Sequence, residues 1–195
     1  MRVSRAQAEE NRETVINVAS RLFRENGFDG IGLKDLMKGA GLTQGGFYKQ
    51  FESKEDLVAL ASKRAMESST RRWSDAVENS SNPLEAVMAF YLSREHLEAK
   101  AEGCPLVALG ADAARQSAEI RRPFEDGIKE HFNVLDALIG NSGGQKPSNK
   151  AMVMLSVMVG AVTLSRIMTD KTLSQSVLAA AADEVRHIAN RSDAD

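Results

Sequence analysis

The N-terminal part of the chain has a hydrophobic pattern typical of an amphipathic helix. Val15, Val18, Ala19 and Leu22 recur at spacings of three and four, so they share one helical face. Gly27 follows the last turn of this pattern, and glycine just after a helix is a common stop signal. The pattern predicts a first helix over residues 6–26.

Two short helical segments and one long one come next. The pattern predicts a second helix over residues 33–40, a turn at 41–43, and a third helix that begins after Thr43 and ends near Phe51. The sequence Ser-Lys-Glu-Asp at 53–56 resembles a capping box. It predicts the start of a fourth, long helix.

Helical spacing continues through the rest of the chain. Asn82 and Pro83 begin a helix that should run toward Ala99. Pro123 lies inside a later apolar stripe, where it should kink the helix or mark its true start. A Gly-rich stretch at 140–147 predicts a loop. The other predicted helices cover residues 106–114, 120–138, 148–168 and 173–190.

The composition agrees with an all-helical chain. Hydrophobic residues make up 43% of the 195 residues, enough for a core, and the alternating β-branched runs typical of strands are missing. We predict an all-α fold in which an N-terminal three-helix domain is joined by the long fourth helix to a larger helical domain.

Three features predict a soluble, cytoplasmic protein. Cys104 is the single cysteine, which excludes a disulfide within the chain. The N-terminal residues lack the apolar stretch of a signal peptide. The most apolar run, residues 151–164, is shorter than the ~20 residues that a membrane span needs.

The charge is distributed unevenly. The net charge is −2, with a balance of +3 over residues 1–72 and of −5 over residues 73–195. A mildly basic N-terminal third fits a module that contacts phosphates, and chance scatter of surface charge explains it equally well.

The second and third predicted helices form a unit with candidate DNA-binding chemistry. Their three-residue turn contains glycine, as in a helix-turn-helix. In that motif the N-terminal residues of the second helix meet base edges in the major groove. Thr43, Gln44, Gly45 and Gly46 hold those positions, and Gln44 can make a paired hydrogen bond to adenine. Further DNA contacts are expected from Lys34, Tyr48, Lys49 and Lys54.

Gly45 and Gly46 lower the intrinsic stability of the third helix. Each helical glycine costs about 1 kcal/mol relative to alanine. A glycine also lets the backbone approach DNA where a side chain would collide, and we expect Gly45 to serve that approach. The apolar side chains expected to anchor this helix are Phe47 and Phe51, packed with Ile16, Phe23, Leu36 and Leu42.

The segment GLKDLMKGAGLTQGGFYKQFESKEDLVALA resembles the DNA-binding segment of TetR-family (AcrR-like) transcriptional repressors. The shared elements are the Ala-Gly-Leu-Thr turn, the small residue two positions after that threonine, Phe-Tyr, the closing phenylalanine, and Ser-Lys-Glu-Asp-Leu. The likeness covers residues 9–69 and is strongest to members with Gly-Gly-Phe-Tyr and a later Gly-Cys-Pro segment. Gly32 stands where the family usually has a Thr or Ser that caps the second helix. Gln50 stands where the family commonly has a histidine before the closing phenylalanine.

The resemblance implies a helix-turn-helix DNA-binding domain at 1–66 and a ligand-binding and dimerisation domain at 67–195. It implies a homodimer that binds a palindromic double-stranded DNA operator and is released by a small apolar or amphipathic inducer. The alternatives are a helical hairpin without a DNA role and an all-helical interaction module.

The last two predicted helices are candidates for the dimer interface. Residues 151–164 are apolar almost all round, which indicates burial on several sides, and the last helix carries an apolar stripe. A four-helix interface between two copies is what the resemblance implies, and a wholly intramolecular core is the alternative. The residues predicted there are Met152, Leu155, Val159, Val162, Val177, Ala181, Val185 and Ile188.

The middle helices carry the candidate ligand pocket. Met and aromatic side chains suit an adaptable apolar cavity, although at helical spacing such residues are also ordinary core. The candidate ligand-binding residues are Met88, Tyr91, His96, Cys104, Phe124, His131, Met154 and Met158. Cys104 follows a helix break, where a helix N-terminus would raise its reactivity. An electrophile- or redox-responsive repressor is therefore an alternative, and a small buried side chain is the plain interpretation.

Catalytic motifs are missing. The three histidines form no His-Glu-x-x-His motif, and no Gly-x-Ser-x-Gly nucleophile elbow occurs. Neither His96 nor His131 has a partner at metal-ligand spacing. We therefore predict no enzymatic activity, no cofactor and no metal.

Overall fold

A computed structural model describes residues 4–141, 144 and 146–191, and within them the chain is all-helical. Ser142, Gly143 and Gln145 of the predicted Gly-rich loop lie outside the described residues. A 3₁₀ helix, Gln44–Lys49, lies between the second and third α-helices. The α-helices are α1 Arg5–Asn26, α2 Leu33–Gly39, α3 Lys54–Glu78, α4 Pro83–Tyr91, α5 Arg94–Glu98, α6 Pro105–Ala113, α7 Ala118–Leu138, α8 Asn149–Ile167 and α9 Lys171–Asn190.

Most predicted elements are confirmed, because their start and stop signals act locally. The Ser4 side chain accepts from the Gln7 N–H and caps α1, and Gly27 ends it at φ 77°. Asn82 accepts from the Glu85 N–H at the start of α4, where Pro83 needs no donor.

The predicted third α-helix is a 3₁₀ helix instead. It has only six residues, and two of them are glycines. Only proline has a lower α-helix propensity than glycine. Thr43 occupies the N-cap position in an extended conformation, but its side chain makes no capping hydrogen bond. The Gly46 N–H instead donates to the Thr43 carbonyl at 3.0 Å, a tight i to i+3 turn.

The prediction of one helix from Pro83 toward Ala99 is wrong. Helix α4 ends at Tyr91, Leu92 and Ser93 are not helical, and α5 begins at Arg94. Ser93 stabilises both sides, because its hydroxyl donates to the Phe90 carbonyl at 2.8 Å and accepts from the His96 N–H at 3.0 Å. A serine that satisfies backbone groups in this way competes with helix continuation. Pro123 lies inside α7 and does not mark its start.

The first compact unit joins residues 4–68 with residues 100–125. The predicted boundary at residue 66 therefore lies close to the end of its first segment, while α6 and the start of α7 also pack in this unit. Its buried core includes Val15, Phe23, Phe28, Leu36, Met37, Phe47, Phe51, Leu57, Leu109 and Phe124.

The second compact unit joins residues 69–99 with the described residues from 126 onward. Within it, α8 and α9 are fastened by two serines. The Ser165 hydroxyl donates to the Ser174 carbonyl at 3.1 Å, and the Ser174 hydroxyl donates to the Ser165 carbonyl at 3.2 Å. Arg166 donates to the Leu97 carbonyl at 3.1 Å and so holds α8 to the end of α5.

Helix α8 contains the apolar run noted in the sequence. It spans 19 residues, and by length and composition it is the one helix in the described part of the chain that could cross a membrane. Core helices of soluble proteins share this property. Ala151, Met154, Met158 and Val162 of α8 are buried against the rest of the chain.

Candidate nucleic-acid interface

The 3₁₀ helix is anchored from below by aromatic side chains. Phe47 is fully buried and Phe51 nearly so, and their ring centroids lie 5.3 Å apart. Both join the core that contains Leu36 and Ile16. The predicted anchoring by Phe47 and Phe51 is confirmed, and it fixes which side of the short helix remains outside.

The outer side of this helix carries polar and exposed groups. Tyr48 is 71% exposed, although its ring edge packs on Phe47 at a centroid distance of 5.1 Å. Gln44, Gly45 and Lys49 are also exposed. Of the other predicted contacts, Thr43 and Lys34 are exposed, while Gly46 and Lys54 are half-buried. Six of the eight predicted contact residues are therefore exposed, and the other two are partly covered.

The turn between α2 and the 3₁₀ helix needs glycine. Gly41 has φ 70°, a left-handed conformation that side chains other than glycine rarely adopt. Around it, the Gly41 N–H donates to the Lys38 carbonyl at 3.0 Å and the Leu42 N–H to the Met37 carbonyl at 2.9 Å. These bonds set the angle at which the 3₁₀ helix leaves α2.

The Ser53 half of the predicted capping box at the start of α3 is confirmed, while the return bond from Asp56 goes to the residue before Ser53. The Asp56 N–H donates to Ser53 Oγ at 3.1 Å, and the Glu52 N–H donates to Asp56 Oδ2 at 3.2 Å. Hydrogen bonds from its own backbone N–H and from Ser53 lower the pKa of Glu55. Lys54 therefore stands on a firmly fixed first turn beside the 3₁₀ helix.

Two long-range links hold α1 in place. Arg64 of α3 pairs with Glu13 at 2.6 Å and donates to Asn17. The Arg12 guanidinium lies 5.3 Å above the centre of the Phe51 ring, a cation–π distance. These links join α1 to α3 and to Phe51, which lies just after the 3₁₀ helix.

Helix α6 and its preceding loop contact the α1–α2 region through residues that the sequence analysis did not single out. Buried Arg24 donates to the Gly103 carbonyl at 3.1 Å. Asp112 accepts from the Phe28 N–H at 3.3 Å, and a Cβ on Gly27 would come within 2.9 Å of its carboxylate. No local pattern in the sequence reveals these contacts, because the partners are about 80 residues apart.

The predicted ligand-binding residues are all buried, but in different units. Cys104 and Phe124 belong to the first compact unit, and the other six to the second. Cys104 is the N-cap residue of α6, as its position after the helix break suggested, and it is 1% exposed. Burial agrees with both a ligand site and an ordinary core, so these assignments stay predictions.

A cluster of aromatic and imidazole rings lies in the second unit. Trp73 is fully buried with its ring 4.5 Å from His131 and 5.5 Å from Tyr91, and Tyr91 lies 4.7 Å from His96. The Trp73 indole N–H has no hydrogen-bond partner among the described residues. Trp73 is not among the residues predicted for a ligand site, although a single tryptophan in a chain with 5% aromatic residues was a signal for it.

Both histidines of this cluster are held neutral. Burial lowers the pKa of His96 from 6.5 to about 4, with Arg166 and Arg72 acting in the same direction. Burial also lowers the pKa of His131. The Nδ1 atoms lie 2.6 Å from the carbonyls of Tyr91 and Gly127, so each Nδ1–H donates and each Nε2 is an acceptor. The Ser69 hydroxyl donates to Nε2 of His131 at 3.3 Å.

A groove of about 280 Å³ lies between α4 and α9 in the same unit. Its lining includes Met88, Leu92 and Leu178 together with Arg94 and Arg186. Met88 is the single predicted ligand residue that lines it. Arg186 already forms a two-pronged pair with Glu85 at 2.7 and 3.0 Å, so its charge is compensated. The described residues contain no group of His, Cys, Asp and Glu that could hold a metal ion.

The predicted dimer residues divide between core and surface. Leu155, Val162, Ala181, Val185 and Ile188 are buried within the chain, so they offer little surface to a partner. Val159 and Val177 are half-buried, and Met152 is 38% exposed. A different set of apolar side chains on the same two helices faces outward: Val153, Leu164, Ile167 and Leu173.

Comparison with known proteins gives a consistent picture. Residues 15–61 match the family model described as "Bacterial regulatory proteins, tetR family". The chain is 26% identical over 162 residues to the HTH-type transcriptional regulator LmrA of Bacillus subtilis, which covers 80% of this chain and 86% of LmrA. It is 24% identical over 169 residues to the HTH-type transcriptional repressor NemR of Escherichia coli, covering 81% and 85% of the two chains.

Solved structures show the same fold. The reduced form of E. coli NemR superimposes with a TM-score of 0.75 at 23% identity, covering 91% of this chain and 96% of that one. A TetR transcriptional regulator from Chloroflexus aurantiacus also gives a TM-score of 0.75, at 24% identity and with 93% and 96% covered. The predicted all-α fold, with an N-terminal helix-turn-helix and a larger helical C-terminal part, is therefore confirmed.

Proposed function

Because the chain belongs to the TetR family of bacterial regulatory proteins, we propose that it is a transcriptional repressor. In this proposal a homodimer binds a near-palindromic operator, and a small-molecule inducer releases the homodimer from the DNA. The family membership makes it a DNA-binding regulator of transcription; the repressor's partners and its control are our proposal. The observation that carries it is the short helix whose inner side is fixed by Phe47 and whose outer side exposes Gln44 and Tyr48.

The DNA side of the proposal assigns a role to each predicted contact. Gln44 reads a base edge, since a glutamine amide can pair with adenine N6 and N7. Lys34, Lys49, Lys54 and Tyr48 bind phosphates on either side of the groove, and Thr43 binds the phosphate next to Gln44. Gln50 stands where relatives of this pattern carry histidine, and we assign it no contact.

The dimer side of the proposal rests on the outward apolar residues of α8 and α9. Val153, Gly160, Leu164 and Ile167 follow one another along α8 at spacings of three, four and seven, so they form one stripe. A Cβ on Gly160 would meet nothing within 4 Å in its own chain. A small residue in an apolar stripe allows a partner helix to approach closely, so we place Gly160 near the crossing point of two protomers.

The inducer is an unknown small molecule that is apolar or amphipathic. We place its site in the C-terminal domain at 67–195, among the buried Met88, Tyr91, His96, His131, Met154 and Met158. An inducer that prefers the DNA-incompetent state lowers operator affinity by the ratio of its affinities for the two states. Regulation of this kind acts where the chromosome is, in the cytoplasm, and calls for neither a cofactor nor an enzymatic activity.

The test of the proposed function is a gel shift with the DNA that flanks the protein's own gene, combined with a salt titration. Binding through phosphates predicts that affinity falls steeply as salt rises, since each phosphate contact releases counterions. Affinity for that DNA that does not change with salt would contradict the proposal. Failure to bind any DNA would favour the all-helical interaction module instead.

A second candidate function is control through the Cys104 thiol. Cys104 follows Gly103, whose carbonyl accepts a hydrogen bond from buried Arg24 of α1. Oxidation or alkylation at Cys104 would enlarge a fully enclosed side chain next to this contact. Iodoacetamide at neutral pH, followed by mass spectrometry of the native protein, tests the idea; an unreacted thiol would rule it out.

A further inference from the structure

Arg12 is an arginine of α1 whose charge is not matched by an opposite charge within the described residues. Its guanidinium forms neither an ion pair nor a hydrogen bond there, although Glu9 lies one turn earlier on the same helix. Two other arginines of α1 have partners: Arg21 pairs with Glu102 at 2.6 Å, and buried Arg24 donates to a backbone carbonyl at 3.1 Å. The positive charge of Arg12 therefore remains available to a partner from outside the chain.

The ring of Phe51 holds this guanidinium in place. The central carbon of the guanidinium lies 5.3 Å from the ring centre, and Arg12 is half-buried while Phe51 is 3% exposed. Arginine stacks on aromatic rings through its flat face, so its N–H groups still point outward along the edge. Those N–H groups form the fork that binds a phosphate through two parallel hydrogen bonds. The contact with Phe51 therefore orders the side chain without using any of its hydrogen-bond donors.

The same contact brings Arg12 to the segment that we assign to phosphate binding. Phe51 lies just after the 3₁₀ helix, between Lys49 and Lys54 in the chain. Both lysines are phosphate ligands in the proposed function. Arg12 adds a third positive charge to this segment, and it comes from a helix outside the helix-turn-helix.

We propose that Arg12 of α1 is a further phosphate-binding residue, held over Phe51 with its N–H groups directed to the DNA backbone beside the 3₁₀ helix. This inference rests on the proposed operator binding and extends the interface to α1. Arg12 contributes affinity rather than sequence reading, because the phosphates are the same in every sequence. In the proposed homodimer, each of the two Arg12 side chains binds one phosphate in its own half-site.

The test measures affinity as a function of salt concentration on two DNA probes. The probes are a duplex that the wild-type protein selects from a random-sequence library and an unselected duplex of the same length. Arg12→Leu removes the charge and keeps an apolar cover on Phe51, whereas Arg12→Lys keeps the charge. Arg21→Gln is the matched control, because Arg21 is an exposed arginine of the same helix and its loss changes the net charge equally.

We expect the salt dependence of Arg12→Leu to be clearly weaker than that of wild type. Each phosphate contact contributes about 0.9 to the slope of log affinity against log salt, so two lost contacts per dimer should lower the slope by about 1.8. The affinity in about 0.1 M salt should fall at least tenfold, by a similar factor on both probes. Arg12→Lys should keep the wild-type slope, and Arg21→Gln should keep both the slope and the affinity.

A purely structural role of Arg12 at Phe51 predicts a different result. Loss of the ring contact alone would lower the thermal midpoint and the fraction of folded protein. A smaller folded fraction lowers the affinity equally at every salt concentration, so the slope would not change. Circular dichroism gives the thermal midpoint of each variant. If Arg12→Leu does not fold, Arg12→Gln takes its place with the same expected slope.

Any of three results would overturn the inference. One is an unchanged slope in the folded variant that lacks the charge. Another is a loss of affinity confined to the selected duplex, which would assign Arg12 to base reading. The third is an equal change of slope in Arg12→Lys or in Arg21→Gln. A wild-type protein that binds neither duplex, or that binds both independently of salt, would instead refute the proposed function before any variant is measured.

Discussion

At the residue scale, Gln44 and Tyr48 separate sequence reading from general affinity. Replacing Tyr48 with alanine should weaken binding to all DNA sequences by a similar factor, because we assign its exposed ring to the phosphate backbone, which is the same in every sequence. Replacing Gln44 with alanine should instead change the preference between operators by about 1–3 kcal/mol at one base pair. Competition binding with a set of single-base operator variants measures both effects. Unchanged affinity in both proteins would mean that the 3₁₀ helix does not enter the groove.

The buried histidines predict a loss of stability in acid. Since the pKa of His96 is lowered to about 4, the unfolded chain binds a proton near pH 6.5 while the folded chain resists it. Stability should therefore fall as the pH drops below 6.5, by about 2 kcal/mol between pH 7.5 and pH 5 from His96 alone. Urea unfolding at both pH values, at one protein concentration, measures this. His96→Gln should show a smaller loss; an equal loss would assign the effect to other groups.

At the element scale, Asp112 of α6 supports the loop between α1 and α2. Asp112→Ala removes the acceptor of the Phe28 N–H, and a partly buried donor without a partner costs about 1–2 kcal/mol. Arg115→Ala is the matched control, since Arg115 pairs with the same carboxylate but is largely exposed. Such surface pairs are worth about 0–1 kcal/mol. Urea denaturation compares the two proteins, and equal stabilities would remove the assigned role of Asp112.

Elements that depend on neighbouring residues could be predicted from the sequence, and those that depend on distant ones could not. The Ser53 half of the capping box and the anchoring by Phe47 follow from local spacing. The α-helix expected after Thr43 is 3₁₀ because six residues with two glycines gain too little from α-helical bonds. The contact between Arg24 and Gly103 joins positions far apart, and no periodicity encodes it.

At the scale of the whole molecule, the outward apolar stripe of α8 predicts a dimer. A single charged side chain in this stripe should cause the dimer to dissociate. Leu164 is 53% exposed, and Leu164→Lys would place an ammonium group in the proposed apolar interface. We expect this variant to be monomeric and to lose operator binding, because two half-sites must be bound together. Light scattering after size-exclusion chromatography measures the mass. Asn133→Lys, at an exposed position of α7, is the control and should stay dimeric; a dimeric Leu164→Lys would contradict the interface.

The division of the first compact unit into residues 4–68 and 100–125 has a consequence for synthesis on the ribosome. The core around Phe28 includes Leu109 and Phe124, so it stays incomplete while only the first segment has been translated. At about 5–20 residues per second, the missing stretch takes roughly 3–11 s to make. During that interval the first segment, residues 4–68, exposes apolar surface that the second segment later covers. A gene fragment that ends at residue 68 should therefore yield an insoluble product. A fusion protein that carries the first compact unit needs both of its segments.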